Sequence, residues 1–168
     1  MLIILSGLPG TGKTTLARAL ALETGATHLR IDTIEQALKR SSLKLDPVND
    51  AGYAAAMAIA GDNLKLGRIV IADSVNPIAL TRHAWRETAR AAGSPFADIE
   101  IVCSDPVEHR RRVEGRTSDI EGLVQPKWSD VEARDYEPWE GECILIDTAG
   151  RKPADCLTEL LAGLPRLS

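Results

Sequence analysis

Gly7-Leu8-Pro9-Gly10-Thr11-Gly12-Lys13-Thr14 is the most informative stretch of this 168-residue sequence. It matches the pattern G-x-x-x-x-G-K-[ST], follows the apolar run 2–5 and precedes a helix-period stretch at 13–24. In such a strand–loop–helix unit, glycines let backbone N–H groups wrap around phosphate oxygens, and the helix N-terminus adds partial positive charge. Lys13 is then expected to reach the β- and γ-phosphates and the Thr14 hydroxyl to ligate Mg²⁺. The alternative is a glycine-rich turn that binds nothing.

The rest of the chain alternates between strand and helix patterns. Further apolar runs lie at 28–31, 68–72, 99–103 and 143–146, and helix-period stretches lie at 33–41, 50–66, 78–92, 106–113 and 152–163. This alternation predicts an α/β fold with a five-stranded parallel sheet flanked by helices, the three-layer P-loop NTPase architecture. We expect residues 1–168 to form a single domain. The stretch 114–128 has no clear period, which predicts a mobile connection.

Composition excludes several classes of protein. There are 20 Lys and Arg residues against 24 Asp and Glu, a net charge of -4, which argues against binding nucleic acid or membrane by bulk charge. Only 4% of residues are aromatic, so a base-stacking platform has little to draw on. The three cysteines have no metal-ligand spacing, which predicts a reduced, cytoplasmic protein. The apolar run at the amino terminus is too short for a secretory or membrane-spanning segment, and no membrane partner is expected.

The class of nucleotide-binding protein can be narrowed from the remaining motifs. Asp147-Thr148-Ala149-Gly150 matches the D-x-x-G segment of GTPases, but it follows the last predicted strand and no N-K-x-D motif occurs in the chain. The length also leaves no room for the additional modules of transporter or ring ATPases. A small kinase is the class that remains.

Two acids follow predicted strands. Asp32 comes after the run 28–31, and Asp73 ends the third predicted strand. Because the carboxyl ends of the strands line the ligand crevice in an open α/β sheet, both carboxylates are expected near the phosphate loop. Two structural alternatives stay open: Asp32 with Glu35 fits a helix capping box, and Asp73 fits a turn-forming residue.

Four arginines precede the irregular stretch 114–128. Arg112 and Arg116 are four residues apart and share one helix face, whereas Arg110 and Arg111 are expected on the surface. A solvated basic face is the alternative for the first pair. Arg82 is likewise expected on a solvated helix face. The three histidines, His28, His83 and His109, show no metal-like or catalytic spacing, so we expect them to be structural or exposed.

Half of the six aromatic residues lie between Trp128 and Trp139, together with Arg134. A satellite core cluster beneath a long loop is the favoured interpretation. The alternatives are a pocket wall for a substrate and a hydrophobic latch that anchors the connection at 114–128 to the body of the protein.

The phosphate loop with Thr15, the Asp after the second strand and the arginine-rich segment together resemble the small P-loop kinases. The chain is most similar to the group that contains zeta toxins, chloramphenicol phosphotransferases and polynucleotide 5'-hydroxyl kinases. The resemblance implies ATP and Mg²⁺, with Asp32 accepting the proton of the acceptor hydroxyl and Asp73 holding the metal or contacting the acceptor. The stretch 114–128 would be a short lid, with Arg112 and Arg116 at its start stabilising charge on the transferred phosphoryl group. Thr148 would lie where related kinases cradle adenine. The implied nucleotide-binding residues are Gly7, Pro9, Gly10, Thr11, Gly12, Lys13, Thr14, Thr15, Arg112 and Thr148.

These observations predict an ATP-dependent phosphotransferase that acts on a hydroxyl group of a small molecule. A polynucleotide 5'-hydroxyl kinase is an alternative that the acidic charge and the low aromatic content disfavour. A second alternative, from another class, is a regulatory or toxin-like protein in which ATP only orders the lid. The sequence does not distinguish among oligomeric states.

Overall fold

The computed structural model describes residues 1–139 and 141–165. These residues contain five strands: β1 (Leu2–Ser6), β2 (Thr27–Arg30), β3 (Val70–Asp73), β4 (Phe96–Val102) and β5 (Ile144–Asp147). They also contain seven helices: α1 (Lys13–Thr24), α2 (Ile31–Arg40), α3 (Ala51–Lys65), α4 (Ala79–Ala91), α5 (Pro106–Gly115), α6 (Trp128–Glu132) and α7 (Pro153–Gly163). None of the helices in this part of the chain is long and apolar enough to cross a membrane.

The five strands form one parallel sheet in the order β2-β3-β1-β4-β5. Its central strand, β1, is buried along its whole length, as expected for a strand with a packed layer on each face. The predicted α/β P-loop fold with a five-stranded parallel sheet is therefore confirmed. The parallel arrangement brings the segments after β1, β2, β3 and β5 to one edge of the sheet, which is where an open α/β fold binds its ligand.

The sheet separates two apolar cores. One core contains Ile3 and Leu5 of β1 with Leu16 of α1 and Leu160 of α7. The other contains Leu2 and Ile4 with side chains of α3 and α4, including the fully buried Trp85. Alternate residues of β1 enter opposite cores, because side chains alternate along a strand. The unbroken apolar run of β1 thus anchors the phosphate loop that follows it.

The second strand ends earlier than the sequence predicts. β2 ends at Arg30, and α2 begins at Ile31, so Asp32 lies in the first turn of a helix and not at the end of a strand. The capping-box prediction is also wrong, because the N-cap is Arg30 and no side chain caps this helix. Ile31 is only 3% exposed and packs into the α3–α4 core, which accounts for the early turn of the chain.

The stretch between α5 and α6 has no helix or strand, as the sequence predicts. We call residues 116–127 the connecting segment. The helix before it extends through Gly115, two residues beyond the predicted end.

Candidate active site

The phosphate loop packs tightly against the body of the protein. Gly7 and Gly10 both have positive φ, and a Cβ at Gly7 would lie 2.1 Å from the Ile101 carbonyl oxygen. A Cβ at Gly10 would lie 2.5 Å from a Val113 methyl carbon. Larger residues are therefore excluded by both backbone conformation and space, and the loop follows a path with its backbone close to β4 and α5.

Side chains outside the motif hold this path. Asn76 Nδ2 donates a hydrogen bond to the Leu5 carbonyl at 3.0 Å. The buried His109 donates from Nε2 to the Pro9 carbonyl at 2.8 Å, and its ring meets Trp128 edge-on with centroids 5.1 Å apart. His109 is thus one of the structural histidines that the sequence leads us to expect, and it ties α5 and α6 to the phosphate loop.

Thr148 fastens the loop from the other side. Its hydroxyl lies 2.9 Å from the Thr11 carbonyl oxygen and 3.0 Å from the Val102 carbonyl oxygen, so it can donate to either. Its own N–H donates to Val102, and its carbonyl accepts from Arg112 Nη2 at 2.8 Å. The polar groups of Thr148 are therefore already used within the protein, where they join the loop, β4 and α5.

Lys13 is the most perturbed base of the site. Its side chain is 8% exposed, and Nζ donates to the Leu8 carbonyl at 2.8 Å. Burial lowers the pKa of Lys13 to about 8, against the opposing influence of the Asp73 and Asp32 carboxylates. Within residues 1–139 and 141–165 no carboxylate lies within 4.0 Å of this buried ammonium, which is thus suited to a ligand that brings its own negative charge.

A cleft of about 950 Å³ opens above the loop. Eleven of the thirteen predicted site residues line it: Pro9, Gly10, Gly12, Lys13, Thr14, Thr15, Asp32, Asp73, Arg112, Arg116 and Thr148. The other two, Gly7 and Thr11, lie beneath its floor, where Gly7 contacts Ile101 and Thr11 is 2% exposed. The sequence thus identified residues that the fold brings together at one cleft.

The two acids of the cleft differ in environment. Asp32 is exposed. Asp73 is 3% exposed, and its Oδ2 lies 3.1 Å from His28 Nε2. The histidine, half-buried in β2, orients this carboxylate from behind the cleft. No motif in the sequence indicated this pairing.

The two predicted arginines also differ. Arg112 Nη1 donates to the Thr148 hydroxyl at 2.7 Å, and Arg112 Nη2 donates to Glu108 Oε1 at 2.8 Å. Arg116 has a buried Nε atom without a hydrogen-bond partner among the described residues. Burial lowers the pKa of Arg116, while the negative charge of Asp32 raises it. Arg116 is therefore the more available of the two for a ligand.

The connecting segment is attached to the body by ion pairs. Asp119 accepts hydrogen bonds from Arg18 of α1 and from Arg30, the latter at 2.8 Å. Outside the cleft, Arg40 Nη1 lies 2.8 Å from Glu121 Oε2. The segment thus lies along one side of the cleft and reaches both α1 and α2.

Arg82 is buried, contrary to the prediction of a solvated face. It is 2% exposed and donates hydrogen bonds to the carbonyls of Asn76, Pro77, Glu137 and Pro138. Its guanidinium carbon lies 4.5 Å from the ring centre of Trp139 and 5.1 Å from that of Tyr136. Tyr136 and Trp139 therefore close over a buried cation of α4.

Topology explains why these contacts escape sequence analysis. His28 contacts Asp73 only because β2 and β3 are neighbours, and His109 reaches Pro9 only because α5 packs on the loop. No short motif records either arrangement. One signal was available: His28 and Arg30 are two residues apart, so their side chains share one face of a strand whose end reaches the crevice.

Comparisons with known proteins agree with this fold. The family model described as AAA domain matches residues 2–132. None of the curated proteins matches the sequence. Among solved structures, a gluconokinase from Sinorhizobium meliloti superposes with a TM-score of 0.68 and 23% identity, covering 98% of this chain and 91% of that one.

Two further structures contain nucleotides or analogues. Chaetomium thermophilum Kti12 in complex with ADP-AlF3 has a TM-score of 0.70 and 21% identity, covering 98% of this chain and 100% of that one. The Mycobacterium tuberculosis APS kinase CysC in complex with AMPPNP and APS has a TM-score of 0.63 and 17% identity, with 96% and 95% covered. These likenesses establish a shared P-loop kinase fold. Because the family model spans more than half of the chain, this protein belongs to the AAA domain family.

Proposed function

We propose that the protein is a phosphotransferase that moves the γ-phosphate of ATP to a hydroxyl group of a small molecule. The observation that carries this proposal is the position of Asp32, a carboxylate that lines the same cleft as Lys13 and acts electrostatically on it. A phosphate-binding ammonium and a solvent-accessible carboxylate beside it are the two groups that transfer to a hydroxyl requires.

Each group of the cleft has a distinct task in this reaction. Lys13 and the loop N–H groups bind the β- and γ-phosphates. Asp32 accepts the proton of the acceptor hydroxyl and directs that oxygen at the γ-phosphorus. Arg116 stabilises charge on the transferred group, and Arg112 fixes Thr148 at the nucleotide side of the cleft. The half-buried position of the two arginines makes their charge more effective than it would be in water.

The residues also fit a magnesium ion. The Thr14 hydroxyl and the buried Asp73 carboxylate are hard oxygen ligands at the same cleft, and Mg²⁺ is typically held by few protein groups together with phosphate oxygens and water. Within residues 1–139 and 141–165, no group of three His, Cys, Asp or Glu side chains can hold a metal by itself. When bound, Mg²⁺ neutralises charge on the β- and γ-phosphates.

The structure favours a small acceptor over a polynucleotide end. Tyr136 and Trp139 pack on Arg82, so these rings are engaged within the protein and do not form a platform for bases. The gluconokinase and the APS kinase among the structural neighbours are named for small-molecule acceptors. We also propose that the protein groups with the zeta toxins and chloramphenicol phosphotransferases. Residues 116–127 act as a lid in this proposal. Cys103, Cys143 and Cys156 are free, which supports the cytoplasm as its location.

An acceptor screen tests the proposal. Release of ADP is measured with ATP, Mg²⁺ and a panel of hydroxyl compounds that includes sugars, sugar acids, UDP-N-acetylhexosamines and a 5'-hydroxyl oligonucleotide. We expect at least one small molecule to accelerate ADP release, and Asp32→Asn to lose about two orders of magnitude of this acceleration. Thr33→Ala, an exposed neighbour in α2, is the matched control and keeps full activity.

Two outcomes contradict the proposal. Acceleration by the oligonucleotide alone identifies a polynucleotide kinase. Tight ATP binding without acceptor-dependent ADP release identifies the regulatory alternative.

A further inference from the structure

The carboxylate of Asp119 lies between two arginines from different elements. Arg18 donates from Nη2 to Oδ2, and Arg30 donates from Nη1 to Oδ1 at 2.8 Å. The hydrogen bonds from Arg30 and Arg18 hold the pKa of Asp119 well below its usual range. The two guanidinium groups, which we call the arginine fork, thus form a receptor for an oxyanion.

Arg30 depends on this anion. Its side chain is 13% exposed, and its Nε atom is buried without a hydrogen-bond partner in the described part of the chain. Among the residues that the structure describes, Asp119 is the one carboxylate within 4.0 Å of the Arg30 side chain. A largely buried guanidinium without an anion is costly, and Arg30 also faces the positive charge of Arg116. If residues 116–127 move aside to admit a ligand, Arg30 loses its only carboxylate.

The second ion pair of the connecting segment provides a contrast. Arg40 and Glu121 are 53% and 81% exposed and do not line the cleft. An exposed pair of this kind contributes little to stability. The arginine fork, in contrast, lines the cleft and includes a guanidinium that is largely withdrawn from water.

The fork lies beside the two acids of the cleft, Asp32 and Asp73. Arg30 is the register partner of Asp73 on the neighbouring strand and precedes Asp32 by two residues. Arg18 lies one helical turn beyond Thr14. A ligand oxyanion in the fork would therefore be on the β2–α2 side of the loop, with the remainder of the molecule free to extend toward Asp32 and Lys13.

Building on the proposed function, we propose that Arg18 and Arg30 bind an oxyanion of the acceptor and that Asp119 occupies this subsite when the acceptor is absent. The acceptor is then a hydroxyl compound that carries a carboxylate or a phosphate ester. Its oxyanion takes the place of the Asp119 carboxylate between the same two guanidinium groups. Negative charge therefore faces the fork in both states.

A binding experiment tests the subsite without turnover. The loop is first saturated with AMPPNP and Mg²⁺, and ¹³C-labelled acetate or inorganic phosphate is then titrated by NMR or calorimetry. We expect Asp119→Ala and the isosteric Asp119→Asn to bind at least about tenfold more tightly than the wild type, because the internal competitor is gone. Arg30→Gln in the Asp119→Ala background should abolish this binding, and Glu121→Ala should match the wild type. Equal affinity in the wild type and both Asp119 variants, or binding that survives Arg30→Gln, overturns the proposal.

A kinetic experiment links the subsite to the acceptor. Acceptors are compared in pairs that differ by the charged group, namely gluconate with glucitol and glycerol 3-phosphate with glycerol. We expect ADP release with an anionic member, and Arg30→Gln should raise its KM at least about tenfold while the KM for ATP stays within about twofold. The carboxylate and phosphate pairs show which oxyanion is used. Activity with neutral members alone overturns the subsite but leaves a phosphotransferase. Failure of every acceptor in the screen overturns the proposed function, and the acetate titration then decides the fork by itself.

Discussion

The phosphate loop and the connecting segment are held to the same cleft by different forces. The loop is fixed by backbone geometry and by buried hydrogen bonds from Asn76, His109 and Thr148 to its carbonyls. The connecting segment is fixed by Asp119 and Glu121, which are 51% and 81% exposed. Buried hydrogen bonds give one stable path, whereas the exposed Arg40–Glu121 pair contributes about 0–1 kcal/mol and the role proposed for Asp119 requires its carboxylate to exchange for a ligand anion. The comparison divides the cleft into two halves. The nucleotide half, around the phosphate loop, is rigid, and the acceptor half, beside the connecting segment, is adjustable.

The largest effect is expected in the rigid half. Lys13→Met removes the ammonium that contacts the β- and γ-phosphates, and we expect kcat to fall about 10³-fold. Arg110→Gln, an exposed change on α5, is the control for general effects of losing a positive charge. Near-normal turnover by Lys13→Met, measured as acceptor-dependent ADP release, would mean that the loop does not position the transferred phosphate.

The next largest effect concerns the stability of the protein at Arg82, beneath Tyr136 and Trp139. Arg82→Ala leaves the Glu137 and Pro138 carbonyls without their donor and removes the cation between two aromatic rings. We expect the free energy of unfolding to fall by about 3 kcal/mol in denaturant titrations. Arg82→Lys keeps the positive charge but loses the planar guanidinium with its several donors, and it should recover only part of this loss. If Arg82→Ala is as stable as the wild type, the aromatic segment is held by something other than this cation.

A smaller effect is expected where the two halves meet, at Asp73. His28→Ala removes the hydrogen-bond partner of the Asp73 carboxylate, and we expect Mn²⁺ or Mg²⁺ affinity with bound nucleotide to fall about tenfold, with kcat retained at saturating metal. His28→Gln, which can still donate a hydrogen bond, should restore most of the affinity. Binding of Mn²⁺ followed by electron paramagnetic resonance measures this effect independently of turnover. Equal losses in both variants would indicate a packing role for His28.

The smallest effect is a dependence on pH. Because burial lowers the pKa of Lys13 to about 8, the free protein loses the phosphate-binding ammonium as the pH rises through this value. We expect ATP affinity to be about twofold weaker at pH 8 than at pH 7, and to weaken further above pH 8. Unfolded Lys13 titrates near its ordinary value of 10.5, so the unfolded chain binds more protons between pH 8 and 10.5, and Lys13 makes the nucleotide-free protein more stable as the pH rises there.

Lys13→Arg provides the control for this titration, since a guanidinium stays charged throughout the range. The pH dependence of ATP affinity should disappear in this variant. A profile that is unchanged by Lys13→Arg would assign the titration to another group.

The same contrast explains what the sequence could predict. The loop residues are contiguous, and their glycines, lysine and threonine are required by local backbone chemistry, so their positions followed from the motif. Asp73 followed from the rule that strand ends line the crevice. Arg116 followed from the helix face it shares with Arg112 and from the resemblance to the small P-loop kinases. Asp32 was placed at the correct edge but in the wrong element, because the burial of Ile31 starts α2 early.

The acceptor half could not be predicted in the same way. Its contacts join residues far apart in sequence, such as Arg30 with Asp119 and Arg82 with Pro138. These contacts depend on which strands are neighbours and on the path of the chain after α5 along the side of the cleft. No local sequence pattern determines either arrangement. A charged residue that looks solvated on a helical wheel, such as Arg82, can therefore be buried once a distant segment packs over it.

The most direct test of the account follows the γ-phosphate itself. The protein is incubated with γ-³²P-labelled ATP, Mg²⁺ and the acceptor that the screen identifies, and the labelled products are separated. The account predicts one molecule of labelled phosphate ester of an anionic acceptor for each ADP formed, with little ester formed by Asp32→Asn. Label that appears only as inorganic phosphate, or ester formation at the wild-type rate by Asp32→Asn, would contradict it.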